Sequence, residues 1–210
     1  MSTTFDIYPS DSKIPSFKDV LHEVTSEYHT FLSDVGLKYK PEIEIRILTK
    51  SGDKEIGYSH ADSFKWSDDH YLWAQIKGIA GGTDGYFWEN DKNDYDYWKD
   101  DVIPLERCSH IRGQLERCLS VGFHWNLRRS AGQPGVINIF YGILAGVLAQ
   151  ITDGVVFSDD SAWDYGRMPI RGKDFLKSYY RPDRELSAEI RGAAISSIRY
   201  AKEELENLNA

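Results

Sequence analysis

The feature that most constrains the fold of this chain is the apolar segment Gly135–Ile151, which directly follows Pro134. The segment is shorter than the roughly 20 apolar residues that a membrane-spanning helix requires. Pro134 suits the first position of a helix, because its missing N–H would have no partner there. We therefore predict a helix buried in the core. After the turn Asp153-Gly154, the apolar run Val155–Phe157 predicts a short buried strand.

Amphipathic helices are predicted near both ends of the chain. Over residues 17–35, apolar side chains recur every third or fourth position, which places them on one helix face. Ser16 is suited to cap this helix, with Asp19 as its capping-box partner. Towards the C-terminus, Asp183 is predicted to cap a last helix that carries its own apolar stripe.

Alternation of apolar and polar residues predicts the strands. Glu42–Ile47 follows a strict period of two, which is typical of a strand with one buried face. Other short runs predict strands at 5–8, 56–58, 71–76, 86–88 and 123–128. Strands and helices in this order predict one α+β domain over residues 1–210. We expect a mixed or antiparallel sheet packed against a long central helix plus N- and C-terminal helices.

The composition limits the class of protein. The 210 residues carry a formal net charge of −8, which argues against sequence-independent binding to nucleic acid, because phosphates must be neutralised by cations. Two cysteines do not make the disulfide framework of a small secreted protein. The first residues lack the basic and apolar regions of a signal peptide. We therefore expect a cytoplasmic protein with no nucleic-acid partner and no membrane segment.

One stretch is both acidic and aromatic. Between Glu89 and Asp101 there are six acidic residues and two lysines. Aromatic side chains that anchor contacts, beside charges that steer encounter, are typical of protein interfaces. The alternative is an exposed loop with its aromatic rings folded underneath. The residues predicted to contact a partner are Trp88, Asp91, Asp94, Tyr95, Asp96, Trp98, Asp100 and Asp101.

A second acidic group follows the predicted strand 155–157. It contains Asp159, Asp160 and Asp164, with Trp163 among them. Carboxylates at the end of a strand can bind magnesium or share general acid and base roles. Alternatively, Asp159 and Asp160 can organise a turn by accepting hydrogen bonds from nearby backbone N–H groups, with Trp163 covering the end of the core. The residues alone leave catalysis, partner contact and a structural turn open.

Two arginines, Arg128 and Arg129, precede the central helix. They could hold an anion there, because free N–H groups and the helix dipole point towards that end. The hypothesis we favour is an internal ion pair of either arginine with Asp159 or Asp164, since an uncompensated charge in a half-buried site is costly.

Motifs that would fix a reaction are missing from the sequence. The glycine-rich stretch 78–85 lacks the Gly-Lys-Ser/Thr ending of a phosphate loop and predicts a turn. The spacing of Cys108, His110, Cys118 and His124 does not match a standard zinc site. There is no Gly-x-Ser-x-Gly or His-Glu-x-x-His pattern. We therefore predict no catalytic residue, no metal and no cofactor.

The second half of the chain resembles the immunity protein 52 family of bacterial polymorphic toxin systems. The resemblance covers roughly residues 122–182 and rests on the long helix, on the entry Asp153–Val156 and on the exit Ser158–Tyr165, followed by Phe175. It implies an α+β fold, no catalytic activity, and a cognate toxin as partner. Toxins that such families neutralise are often nucleases.

The resemblance and the acidic sequence lead to one expectation. The chain is expected to be an immunity protein that binds a basic toxin domain and occludes its active site. The alternative is a metal-assisted hydrolase that uses Asp159, Asp160 and Asp164, with Arg128 as anion holder. A scaffold subunit is a third possibility, because 13% of the residues are aromatic. The sequence leaves the oligomeric state open.

Overall fold

The computed structural model describes residues 2–52, 54–184 and 186–208. Within these residues, eight strands form one sheet in the order β3-β2-β4-β5-β6-β1-β7-β8, with every neighbouring pair antiparallel. The strands are β1 (Thr3–Tyr8), β2 (Ile43–Thr49), β3 (Glu55–Ile56), β4 (His70–Ile76), β5 (Thr83–Glu89), β6 (Phe123–Arg129), β7 (Val155–Phe157) and β8 (Ile170–Arg171). The predicted α+β class is confirmed, with the sheet antiparallel.

Six α-helices lie in the described part of the chain. They are α1 (Phe17–Asp34), α2 (Lys92–Tyr97), α3 (Arg112–Val121), α4 (Gly135–Ile151), α5 (Gly172–Ser178) and α6 (Ala188–Leu208). The π-helical turn Trp98–Val102 continues α2, and the 3₁₀ segment Glu106–Ile111 leads into α3. The stretch 90–101, predicted as a loop or a short exposed helix, is therefore helical over most of its length.

Helix α1 begins as its sequence predicts. The Ser16 hydroxyl accepts the Asp19 N–H at 3.1 Å, and the Asp19 carboxylate accepts the Ser16 N–H at 3.3 Å. These two bonds form the capping box, which satisfies N–H groups that the first turn leaves without partners. The buried residues of α1 are Phe17, Val20, Val24, Tyr28, Phe31 and Leu32.

Three local predictions are wrong. Helix α6 begins at Ala188 rather than near Asp183, and Ser187 supplies the capping oxygen by accepting the Ile190 N–H at 3.3 Å. Pro134 is the residue before α4 rather than its first residue, with extended backbone at φ −51° and ψ 154°. The glycine-rich turn ends earlier than predicted. Strand β5 starts at Thr83 and runs through Gly85, where a Cβ would lie 3.1 Å from two leucine side chains.

The two faces of the sheet have different environments. On the face covered by helices, Phe5, Leu72 and Leu127 are fully buried, and Phe5 stacks on Tyr141 of α4 with ring centroids 4.7 Å apart. On the opposite face, which we call the open face, most side chains of the central strands are half-buried or exposed. The open face comprises Asp6, Arg46, Tyr71, Trp73, Asp84, Tyr86, Trp88, Asn126 and Arg128.

Helix α4 lies at the centre of the core and is capped by a distant residue. Glu204 of α6 accepts the N–H groups of Gly135 at 2.8 Å and of Val136 at 2.9 Å through its two carboxylate oxygens. A carboxylate at a helix N-terminus satisfies free donors and interacts favourably with the helix dipole. The sequence analysis raised the possibility of a bound anion at this helix end. The structure places the carboxylate of Glu204 there instead.

The glycines of α4 allow close packing, as their four-residue spacing predicts. A Cβ at Gly142 would collide with the ring of Tyr179, and one at Gly146 would lie within 2.6 Å of Leu176. The neighbour is thus α5 and the residue that follows it, and the contact is between helices of the core. Across the described residues, no helix has the length and apolar character that crossing a bilayer would require.

Candidate functional site

The acidic stretch 91–101 folds as a short helical layer over one end of the open face. Trp98 is only 1% exposed and packs against Tyr8 and Phe157, with ring centroids 4.5 and 5.2 Å away. Trp98 was predicted to contact a partner, and the structure corrects this: the ring is part of the core. The helix turns its neighbour Tyr97, which is 38% exposed, towards solvent instead.

The remaining residues of the acidic stretch divide into two groups. Asp91 and Asp94 form a capping box at the start of α2, in which Asp91 accepts the Asp94 N–H at 3.0 Å and Asp94 accepts the Asp91 N–H at 2.8 Å. Their carboxylates therefore stabilise the helix as well as adding charge. Asp96, Asp100 and Asp101 are exposed. Tyr95 is partly buried against the core, and Trp88 is 38% exposed on β5.

The segment after β7 is a bonded turn. Asp160 accepts the Thr4 hydroxyl at 2.8 Å and the Ser158 hydroxyl at 3.0 Å, so its donors are hydroxyls rather than the predicted backbone N–H groups. Ser158 in turn accepts the Ala162 N–H at 3.1 Å. Trp163 is buried, with its ring centroid 4.8 Å from that of Tyr179, so it covers the end of the core in the way that the structural alternative predicted.

The predicted ion pair between an arginine and the acidic exit is wrong. Asp164 pairs with Arg167 at 3.2 Å. Arg129 faces α4, where its guanidinium donates to Asn138 and, at 3.0 Å, to the Thr3 hydroxyl. Arg128 points to the open face, because successive residues of a strand face opposite sides. There it lies opposite Asp84 on the neighbouring strand. Burial raises the pKa of Asp84, and the charge of Arg128 offsets only part of that rise.

The fold brings the two acidic segments together. Asp159 and Asp101 both raise the pKa of Tyr97, although burial is the larger cause. Tyr165, which is 45% exposed, also raises the pKa of Tyr97. The guanidinium carbon of Arg107 lies 5.0 Å from the centroid of the Tyr165 ring. We call this continuous patch the acidic surface; it comprises Asp91, Asp94, Asp96, Asp100, Asp101, Asp159 and Asp160.

A carboxyl group of the open face that the sequence analysis did not select lies close to the acidic surface. Asp6 of β1 is half-buried and accepts the Asn126 amide at 2.6 Å. Burial raises the pKa of Asp6 from 3.8 to about 7; the amide bond lowers this pKa, while the charges of Asp159, Asp160 and Asp94 raise it further. Near neutral pH, Asp6 therefore carries a proton for a large fraction of the time.

The imidazole of His124 is buried close to this position. It stacks on Tyr8, with ring centroids 4.7 Å apart and planes at 20°. Its Nδ1 lies within hydrogen-bonding distance of the Asn90 side-chain amide, at 2.8 Å. Burial lowers the pKa of His124 from 6.5 to about 4. The ring is therefore neutral at physiological pH.

The geometry does not assemble the alternative hydrolase site. Asp160 and Asp164 have separate local partners, and Arg128 lies beside Asp84 rather than beside Asp159. Among residues 2–52, 54–184 and 186–208, no three His, Cys, Asp or Glu side chains are grouped as metal ligands. Cys108 and Cys118 are buried free thiols.

Three residues of the site were not among the predicted site residues. Tyr97, Tyr165 and Asp6 reach the same patch from α2, from the turn after β7 and from β1. For Asp6, the alternation of Phe5, Asp6 and Ile7 indicates that the carboxyl faces away from the core. Nothing local indicates that α2 and the turn at 158–165 then crowd it.

The comparisons with known proteins are negative. No protein-family model matches the chain, and neither do curated proteins or solved structures.

Proposed function

We propose that this chain is an immunity protein that acts in the cytoplasm, where it binds a basic, nuclease-type toxin domain and occludes its active site. The observation that carries the proposal is the approach of two acidic segments, 91–101 and 159–160, in which Asp96, Asp100, Asp101 and Asp159 are exposed. The resemblance of residues 122–182 to an immunity family supplies the biological class of the partner.

The composition of the patch suits a protein partner with a cationic active site. Nuclease sites hold phosphate with basic side chains, so a surface rich in carboxylates competes for the same groups. The rings of Tyr97, Tyr165 and Trp88, each 38–45% exposed, supply apolar area that a partner can desolvate. The net charge of −8 over the whole chain also favours encounter with a basic protein. The mechanism is steric and electrostatic.

The first test is to express a toxin-like domain, if a neighbouring gene encodes one, and to measure its binding to this chain. The chain should restore growth to cells that express that domain, and should form a complex whose affinity falls as salt rises. Growth arrest that the chain does not relieve, together with no complex in calorimetry, would contradict the proposal.

The second test uses charge reversal on the acidic surface. The variant combines Asp96→Lys, Asp100→Lys and Asp101→Lys, which are exposed and outside the capping box of α2. We expect the affinity to fall by about tenfold or more and the salt dependence to weaken. The matched control, Glu189→Lys, Glu203→Lys and Glu206→Lys on α6, has the same change in charge and should leave affinity within about threefold of wild type. Equal effects of the two variants would exclude this surface.

A further inference from the structure

The sheet splits between β4 and β5. Pairing of these strands is confined to Leu72–Ala74 against Thr83–Gly85, whereas β5 continues to Glu89 on its other side, paired with β6. Before His70 the chain turns away from β5, and the His70 N–H donates to the backbone oxygen of Ser67 at 3.0 Å. The split leaves a groove of about 740 Å³ between residues 65–68 and 87–89.

The backbone of β5 is exposed to this groove. Asn90 donates its N–H to the Gly122 oxygen at 2.9 Å, so at that position the strand bonds towards β6. Backbone groups alternate between the two sides of a strand. Phe87 and Glu89 therefore direct their N–H and C=O groups away from β6, into the groove, where no strand lies opposite them in the described part of the chain.

The side chains around the groove are suited to contact with another chain. Trp66 lines it, is 8% exposed, and has an indole N–H without an acceptor. Trp88 lines the other wall and stacks on Tyr86 with ring centroids 5.7 Å apart. The outer edges of the sheet contrast with this opening. Strands β3 and β8 are two residues long, and edges that short resist pairing with other chains.

We propose that the groove binds an extended, basic segment of the partner protein, which adds a strand along Phe87–Glu89. Backbone groups of that segment would bond to Phe87 and Glu89, as in other cases where a peptide extends a sheet. Among the residues that line the groove, the carboxylates of Asp68 and Glu89 outnumber the cation of Lys65. Glu89 also comes two residues before Asp91, where the acidic surface begins. The inference rests on the proposed function for the identity of the partner.

The first experiment uses a synthetic probe. A capped decapeptide of alternating threonine and valine, with two lysines, is added to the isotope-labelled protein. We expect the amide protons of Phe87 and Glu89 to exchange about tenfold more slowly, and the Trp66 indole resonance to shift, because new hydrogen bonds protect them. The same peptide with its six central backbone nitrogens methylated should not bind. Unchanged exchange at both residues, or equal binding of the methylated peptide, would refute the groove as a strand acceptor.

The second experiment compares two changes at one position. Glu89→Pro removes an N–H that faces the groove, whereas Glu89→Gln removes the charge and retains the N–H. We expect Glu89→Pro to weaken binding of the probe by about tenfold and Glu89→Gln by less than about threefold. If the proline variant unfolds, Trp66→Phe, which deletes the indole N–H and keeps an aromatic ring, replaces it and should also weaken binding. Probe affinity within error of wild type in the folded variant would contradict the inference.

The two proposals fail separately. If charge reversal on the acidic surface abolishes toxin binding while the probe ignores the groove, the immunity function stands and the added strand is excluded. If the probe binds at Phe87 and Glu89 but the toxin binds the chain and its charge-reversed variant equally, the groove stands and the acidic surface is excluded.

Discussion

Asp6 and His124 lie on adjacent strands of the same sheet face, one diagonal step apart, and their pKa values are displaced in opposite senses. Asp6 is opposite Asn126, two residues from His124 on β6. The pKa of Asp6 is raised from 3.8 to about 7, and that of His124 is lowered from 6.5 to about 4. Both groups are therefore held in their neutral forms by burial.

The first prediction is that the contributions of Asp6 and His124 to the pH dependence of stability nearly cancel between about pH 4 and 6.5. The folded state keeps the Asp6 proton that the unfolded chain releases near 3.8, so this group destabilises the fold increasingly as pH rises to about 7. The unfolded chain takes up a proton on His124 near 6.5, whereas the folded imidazole stays neutral down to about 4, so this group destabilises the fold as pH falls. The two slopes oppose each other.

Asp6→Asn separates these contributions. The variant should be more stable than wild type by roughly 2–4 kcal/mol at pH 8, and by much less at pH 4. Between these values its stability should rise with pH relative to that of wild type, because the opposing contribution of Asp6 has been removed. Urea unfolding at several pH values measures this, with Asp96→Asn as an exposed control. A pH profile identical in shape to that of wild type would show that the pKa of Asp6 is not raised in the folded protein.

The second prediction concerns the cap of the central helix. Glu204→Ala leaves the N–H groups of Gly135 and Val136 without their acceptor. We expect a loss of about 1–3 kcal/mol in the free energy of unfolding, because buried donors without partners are costly. Glu203→Ala, on the exposed side of α6, should change the free energy of unfolding by less than about 0.5 kcal/mol. Chemical denaturation of both variants decides the point, and equal stabilities would contradict it.

The third prediction tests helix packing with two identical substitutions. Gly142→Ala should destabilise the protein by about 1–3 kcal/mol, because its Cβ would collide with the ring of Tyr179. Gly192→Ala on α6, where a Cβ meets nothing within 4 Å, should instead stabilise it by about 0.5–1 kcal/mol through helix propensity. Thermal melting of the pair should therefore show shifts of opposite sign.

The fourth prediction separates two tryptophans that lie ten residues apart in the sequence. Trp98→Ala should cost about 3–5 kcal/mol, because it removes a fully buried ring from the contact with Tyr8 and Phe157. Trp88→Ala should cost less than about 1 kcal/mol, since its ring is 38% exposed, yet it should weaken toxin binding. Unfolding curves and calorimetry on the two variants measure both effects. Reversed stabilities would contradict the assignment.

The elements that the sequence predicts well are those whose signal is local. The capping box of Ser16 and Asp19, the alternation before Ile47 and the apolar run of α4 each depend on neighbours in the chain. Asp183 fails as a helix cap because several residues near it could serve, and the structure uses Ser187. Local chemistry selects the kind of element more reliably than its first residue.

The candidate site was less predictable, because it depends on contacts between distant segments. Trp98 and Tyr97 are adjacent in an acidic stretch, and only the packing against Tyr8 decides which ring is buried. The arginines were paired with the wrong acids for a related reason. Arg128 and Arg129 point to opposite faces of β6, and the sequence does not show which acids lie on each face.

The contact between Glu204 and the start of α4 spans 69 positions of the chain. During synthesis, the most buried helix of the molecule emerges long before the carboxylate that completes it. Until α6 arrives, the amide donors of Gly135 and Val136 have to be met by water, and the core is correspondingly loose at that end. Helix α6 thus completes the hydrogen bonding at the start of α4. A chain truncated before residue 204 should therefore be cleaved by proteases more rapidly than the full chain.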